Sequence, residues 1–210
     1  MIVQQTPKKP DELGLWIRAS DLAIAFALLA AAFLMVRLDA VKDLLALSIN
    51  KDYFAKSPLL LDALRHGYSF ETVNAHLNAL GGEGRAYYAH TFLPLYDLAL
   101  SVFLLTFSIL FILYATQKDK DYAISLPAWT RRVLIVPPVL QFLFDVAENY
   151  HLRDLMDDFP RIAPKVVETA SQLTQFKWMA IYVNTMILIA LAAFTLYRWF
   201  QPVASQDTAR

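Results

Sequence analysis

The sequence predicts an all-α polytopic membrane protein, a four-helix bundle with a short amphipathic helix in one long outer loop. Of its 210 residues, 57% are hydrophobic and 18% are charged, fewer charges than the roughly 25% of soluble domains. The apolar residues come in four long blocks, and blocks 22–36 and 178–197 contain no charged residue. Such blocks approach the roughly 20 residues with which a helix crosses a bilayer.

The first predicted span covers 15–38 and follows a leader at 1–14. Arg18 and Arg37 flank its apolar block, and both can reach the membrane interfaces. A cleaved signal peptide is the alternative, but no small-residue cleavage site follows the apolar run. The other predicted segments are an outer loop at 39–90, a second span at 91–117, an inner loop at 118–131, a third span at 132–152, an outer loop at 153–173, a fourth span at 174–199 and a tail at 200–210.

Within the long outer loop, residues 69–80 are predicted to form the amphipathic helix. Ser69 can cap its start, and Gly81-Gly82 is expected to end it. Four apolar residues fall at helical spacing on one face: Phe70, Val73, Leu77 and Leu80. Such a helix would lie on the membrane surface or across the mouth of the bundle. In the third apolar block, Pro137-Pro138 should kink the helix or mark its start.

The distribution of basic residues predicts the orientation. The basic residues of the leader and of the short second connection are Lys8, Lys9, Arg18, Lys118, Lys120, Arg131 and Arg132. Because basic residues are sparser in the long first loop, both termini are expected to be cytoplasmic. The expected location is a bacterial inner (plasma) membrane, with the lipid bilayer as the first partner.

The composition also excludes several kinds of binding and catalytic site. Nineteen basic residues balance nineteen acidic ones, so no basic stripe is available for nucleic acid. The absence of cysteine excludes disulfides, thiolate catalysis, iron–sulfur clusters and covalent haem attachment. No cofactor follows from the sequence.

Four charged residues are expected inside the outer half of the membrane: Asp97, Asp145, Glu148 and Lys177. Counting about 1.5 Å of helix per residue from the inner basic flanks brings them to similar depths, so they can meet. Asp145 and Glu148 share one helix face, and Lys177 is the obvious cation for them. Ser101 and Thr174 extend the same polar faces.

Three interpretations of this cluster remain open. It is a structural ion-pair network, an outer-side pocket for a small or lipid-like molecule, or a catalytic acid/base pair. A metal site is not predicted, because Glu148 and His151 form only one Glu-x-x-His pair where carboxylate di-iron bundles need two. His90 and His151 are both expected at the outer mouth and could ligate a haem, but isolated interfacial histidines are more often surface residues.

Three motifs resemble those of a widespread set of uncharacterised bacterial four-helix membrane proteins. They are Gly82-Glu83-Gly84-Arg85 in the outer loop, Asp145-Val146-Ala147-Glu148-Asn149 in the third span, and Thr174, Lys177 and Trp178 at the fourth. The likeness covers most of residues 68–198, while the first span and 39–60 match by hydropathy alone. It implies that Asn149 joins the cluster and that Arg85 lies at the outer mouth, but it brings no activity.

The architecture is also similar to that of the EXPERA group of sterol isomerases and sterol-binding proteins, although no motif matches residue by residue. The sequence therefore favours a membrane protein that binds a small amphipathic or lipid-like ligand, or a membrane protein partner, through a charged outer pocket. The alternatives are an intramembrane acid/base enzyme acting on a lipid, with Asp145 or Glu148 carrying the proton, and an accessory subunit of a membrane complex.

Overall fold

The computed structural model describes residues 19–116 and 124–200, and all regular secondary structure within them is helical. The α-helices are α1 (Ala19–Leu47), α2 (Lys51–Phe54), α3 (Phe70–Tyr87), α4 (Leu98–Ala115), α5 (Ala128–Asp157) and α6 (Pro164–Phe200). A 3-10 turn (Leu61–Ala63) precedes α3, and a π-helical segment (Tyr88–Asp97) joins α3 to α4. The predicted leader, the first part of the predicted inner loop and the tail from residue 201 lie outside the described residues.

Three helical stretches in the described chain are long and apolar enough to cross a membrane: Phe70–Ala115, Ala128–Asp157 and Pro164–Tyr197. Between 17% and 22% of their most apolar windows is buried inside the protein, so most of these side chains face outwards. Helices satisfy their own backbone polar groups, which makes them suited to a lipid environment. The length and composition of these three stretches are consistent with a helical integral membrane protein.

Helices α4, α5 and α6 pack against one another, whereas α1 packs through its second half against α3 and the π-helical segment. Ala40 and Leu44 are the buried residues of that contact. Leu34 and Met35, earlier in α1, are 58% and 61% exposed. Around Leu34 and Met35, α1 therefore presents apolar side chains outwards.

Helix α3 begins where the sequence predicts but does not end at the glycine pair. The Ser69 side chain caps it by accepting a hydrogen bond from Thr72 N. Gly81 takes a φ of 72°, a left-handed conformation that glycine adopts readily, and a Cβ there would lie 2.7 Å from a side-chain carbon of Ile49. Helical geometry resumes after Gly81, so the expected stop is instead a break within a longer helical path.

Prolines modify two of the long helices without ending them. Pro94 lies inside the π-helical segment, and its missing N–H removes one regular helical hydrogen bond. Pro137 and Pro138 lie inside α5, which begins at Ala128. The proline pair therefore does not mark the start of this helix.

Several helices extend beyond the predicted spans. Helix α1 continues to Leu47, past 38, and α6 begins at Pro164, before 174. Proline suits the first helical position because its N–H would have no partner there. Hydropathy marks the apolar part of a helix, whereas the helical hydrogen bonds continue through polar residues such as those of 153–157.

Two apolar cores lie at opposite ends of the bundle. We call the end that carries residues 48–69 the loop end. Its core includes Leu44, Leu61, Leu77, Tyr88, Phe92 and Leu152, all fully buried. The core at the opposite end is smaller and is built around Ile112, Ala115 and Leu191. The buried polar side chains of the candidate site lie between these cores, and its cavities lie at the loop end.

Candidate functional site

Lys177 is buried at the loop end and contacts three acidic residues. Its side chain extends from α6, and the residue is 4% exposed. The ammonium nitrogen contacts the Glu148 carboxylate and lies 3.1 Å from Asp145 Oδ1 and 3.6 Å from Asp62 Oδ2. Asp145 and Glu148 reach it together because residues three apart share a face of α5. The structure thus brings the predicted lysine and both acids of the third span together.

Asp97 lies beside this group but pairs with a different cation. It is the last residue of the π-helical segment and is 3% exposed. Arg37 Nη2 donates to Asp97 Oδ1 at 2.8 Å, and Asn149 Nδ2 donates to Asp97 Oδ2 at 2.8 Å. Asn149 Nδ2 also lies 3.5 Å from Asp145 Oδ2. Asn149 therefore joins the two acids.

Asp62 is a buried acid near Lys177 that the sequence did not predict, just as it did not predict that Arg37 would pair with these acids. Its Oδ2 lies 3.8 Å from Arg37 Nη2 and 3.6 Å from Lys177 Nζ, so it bridges the two cations. The Tyr88 hydroxyl is 3.5 Å from its other oxygen, and Trp178 Nε1 donates to its backbone carbonyl at 2.9 Å. The one sequence signal was an acidic residue directly after the apolar run 59–61.

We call Arg37, Asp62, Asp97, Asp145, Glu148 and Lys177 the charge cluster. It contains four carboxylates and two cations, so two carboxylates have no cation of their own within it. The four acids and the lysine are each less than 10% exposed. Burying charge is unfavourable unless it is paired and hydrogen-bonded. The carboxylates therefore depend on neutral donors as well as on the two cations.

Hydroxyl groups supply those donors. Ser101 donates to Asp145, and Thr174 donates to Glu148. The Tyr68 hydroxyl lies 3.3 Å from Thr174 Oγ1. Burial raises the pKa of Tyr68 above its ordinary value, and the negative charge of Glu148 adds to this effect. Tyr68 therefore keeps its proton at neutral pH.

The residues predicted at the outer mouth do not join the charge cluster. The Arg85 guanidinium lies 4.4 Å from the centre of the Phe159 ring. His90 Nε2 is 3.1 Å from Asp157 Oδ1, with both side chains about half exposed. His151 packs against the neighbouring tyrosine ring instead. Within 19–116 and 124–200, no three His, Cys, Asp or Glu residues are arranged to hold a metal ion.

An uncharged polar contact lies closer to the opposite end. Asn184 Nδ2 donates to Ser108 Oγ at 3.0 Å and to Gln141 Oε1 at 3.1 Å. The three residues come from α6, α4 and α5, and all are buried. This neutral triad links the three packed helices without a formal charge.

Two cavities open at the loop end, and neither is lined by the acids of the charge cluster. The Tyr68 cavity, of about 330 Å³, lies between the start of α3 and the first turns of α6. Its walls include Tyr68, Phe70, Val167, Glu168, Ser171, Gln172 and Gln175. The Arg65 cavity, of about 290 Å³, is lined by Arg65, His66, Gln175, Trp178, Met179 and Tyr182.

Tyr68 connects the first cavity to the charge cluster. It lines the Tyr68 cavity, its backbone N–H donates to Ser171 Oγ at 2.8 Å, and its hydroxyl reaches Thr174.

Comparison of the chain with protein-family models, curated proteins and solved structures gives no match. The features that bear on function are therefore the buried charges and the cavity one residue layer away from them.

Proposed function

We propose that the protein spans the membrane four times and binds a small amphipathic, lipid-like molecule in the Tyr68 cavity. In this arrangement α1 is the first span, which is added to the three candidate stretches described above. Its block 22–36 is free of charge, and Leu34 and Met35 point outwards. The proposed location is a bacterial inner membrane with cytoplasmic termini, in a family defined by the three motifs at Arg85, Glu148 and Lys177.

The size and the walls of the Tyr68 cavity support an amphipathic ligand. Its volume of about 330 Å³ falls within the range of small-molecule sites, about 300–1,000 Å³. Phe70 and Val167 offer apolar surface, while Ser171 and Gln172 offer hydrogen-bonding groups. A molecule with a short polar head and an apolar body would satisfy both kinds of wall.

The observation that carries the proposal is the path from the cavity to Glu148. Tyr68 lines the cavity, its hydroxyl is 3.3 Å from Thr174 Oγ1, and Thr174 binds Glu148. A head group that hydrogen-bonds Tyr68 would therefore interact with the charge cluster through two hydroxyls. The excess of carboxylates and the wall residue Glu168 favour a head group that is cationic or donates hydrogen bonds.

A cavity-filling variant tests this proposal. The parent, purified in mild detergent, is expected to retain a small molecule detectable by native mass spectrometry. Gln172→Trp should release it, because the indole would occupy the cavity. Phe176→Trp is the matched control, since Phe176 is on the same helix, 49% exposed and outside both cavities. Equal retention by both variants, or no retained molecule in the parent, would remove the proposal.

The topology has a separate test, made simple by the absence of cysteine. Single cysteines replacing Ala75 and Tyr122 should react with a membrane-impermeant maleimide from opposite sides, with position 75 outside. Reaction of both from one side would contradict the four-span arrangement.

An acid/base enzyme acting on a lipid is the second candidate. The excess of carboxylates in the charge cluster favours it, with Asp145 or Glu148 as proton carrier. However, Glu148 is fully buried and lines neither cavity, which favours binding over chemistry. If the parent converts the retained molecule and Glu148→Gln retains it unchanged, the protein is an enzyme rather than a binding protein. If the protein is an accessory subunit, it should retain no small molecule.

A further inference from the structure

The Arg65 cavity has a chemical character opposite to that of the Tyr68 cavity. Its polar wall residues are an arginine, a histidine and a glutamine, and it contains no carboxylate. Arg65 and His66 are both exposed at the loop end. The cavity therefore offers hydrogen-bond donors and positive charge, which is the chemistry that recognises a phosphate group.

The guanidinium of Arg65 is held in place by aromatic residues of α6. It lies 4.6 Å from the centre of the Trp178 ring, and its Nη1 is 3.4 Å from the Tyr182 hydroxyl. The indole is fixed in turn, because Trp178 Nε1 donates to Asp62 O at 2.9 Å. Stacking of this kind orients a guanidinium while leaving most of its N–H donors free.

Arg65 makes no ion pair within the described parts of the chain. The acid nearest to it in sequence, Asp62, is engaged by Arg37 and Lys177. An oriented arginine without a carboxylate, beside an exposed histidine, leaves positive charge that a bound anion would neutralise.

A strip of exposed apolar side chains runs along α6 from this cavity. Met179 and Tyr182, which line it, are 63% and 49% exposed, and Val183 and Met186 below them are 49% and 67% exposed. Residues three and four apart share one helix face, so these side chains form a continuous strip on the outside of a candidate span. Trp and Tyr at its upper end are typical of the membrane interface.

We propose that the Arg65 cavity binds the phosphate of an anionic phospholipid, whose acyl chain lies along the strip from Met179 to Met186. A lipid with net negative charge fits better than a zwitterionic one, because the cavity has no carboxylate for an amine head group. This site does not depend on the Tyr68 cavity or on its ligand. It also differs from that cavity in charge, since Glu168 lines only the latter.

Lipid titration followed by native mass spectrometry tests the site. The full-length protein in detergent is titrated with phosphatidylglycerol and, separately, with phosphatidylcholine of the same acyl chains. The first bound phosphatidylglycerol should be held about tenfold more tightly, as expected for charge-assisted hydrogen bonds to one head group. Arg65→Gln should abolish this preference. Arg161→Gln, which removes a charge at an exposed loop-end position outside both cavities, should keep it.

Two additions make the result decisive. Arg65→Lys retains the charge but loses the planar fork and its stacking, so it should keep only part of the preference; it also serves if Arg65→Gln fails to fold. Glycerol phosphate is the soluble competitor. Competition at concentrations similar to those of the lipid would overturn the phospholipid in favour of a free phosphate ester. Equal binding of the two lipids, or equal loss in Arg65→Gln and Arg161→Gln, would overturn the site.

Discussion

The two halves of the bundle differ in the polar contacts that link their helices. Near the opposite end, α4, α5 and α6 are joined by one neutral contact, in which Asn184 binds Ser108 and Gln141. At the loop end, α5 and α6 carry Asp145, Glu148 and Lys177 of the charge cluster, and its other members lie on α1, the 3-10 turn and the π-helical segment. Three helices are therefore linked at one end by a neutral contact beside an apolar core, whereas five elements meet at the other end around four carboxylates and two cations.

The charge cluster is also an unfavourable way to stabilise a fold. A buried ion pair is often no more stable than a well-packed apolar replacement, whereas removing one partner leaves a buried charge uncompensated. Evenly paired charges would reduce that penalty, but here the acids outnumber the cations. We infer that the loop end is maintained for function and that the opposite end serves mainly to hold the helices together.

The largest expected effect comes from removing the central cation. Lys177→Met keeps the length of the side chain but leaves Asp145 and Glu148 without their nearest positive charge. Breaking a buried pair in this way typically costs about 3–5 kcal/mol. Unfolding in detergent should show a loss of that size. The double variant Lys177→Met with Glu148→Gln should recover part of it; a single variant as stable as the parent would make Lys177 an interface anchor.

A smaller loss is expected at the edge of the charge cluster. Arg37→Met removes the hydrogen bond to Asp97, but the arginine side chain is 17% exposed, so water can partly replace it. Hydrogen bonds to charged groups contribute about 1.5–3 kcal/mol, and Asn149 still holds Asp97. We expect a loss near the lower limit in the same unfolding assay. A loss equal to that of Lys177→Met would show that the two cations are equivalent.

The neutral triad should respond least among the contacts between helices. Asn184→Leu replaces the amide with an apolar side chain and removes two hydrogen bonds. Contacts of this kind between membrane helices contribute about 0.6 kcal/mol on average. Two such contacts should therefore account for only about 1 kcal/mol of the unfolding free energy, and Thr185→Val, at an exposed position of the same helix, is the control. A loss as large as that of Lys177→Met would erase the distinction between the two halves.

The sequence predicted the centre of the charge cluster but not its edges. Asp145, Glu148 and Lys177 interrupt apolar helices, and helix geometry brings them to one level, so their proximity follows from spacing alone. The sequence predicts Arg37 only as a flanking residue that reaches the membrane interface, because nothing in its own helix shows which acid it faces. Asp62 lies in a connection without periodicity, so its position depends on how that segment folds over the bundle.

The limits of the helices could likewise be predicted only in part. The apolar blocks predicted the three described stretches that can cross a membrane, because hydropathy depends on local composition. The extension of α1 to Leu47 and the early start of α6 at Pro164 depend on polar residues that pack against other elements. The left-handed turn at Gly81 likewise lies against Ile49, which leaves no room for a side chain there, and spacing does not reveal this contact.

We infer that the loop end holds more carboxylates than the fold needs. The unfolding free energy of Asp62→Asn tests it most directly, because asparagine keeps the shape of the side chain and removes one negative charge from the charge cluster. Fewer uncompensated charges should leave the protein as stable as the parent or more stable. A loss of about 3–5 kcal/mol, as for a broken buried pair, would contradict this inference and show that the Asp62 carboxylate is required for folding.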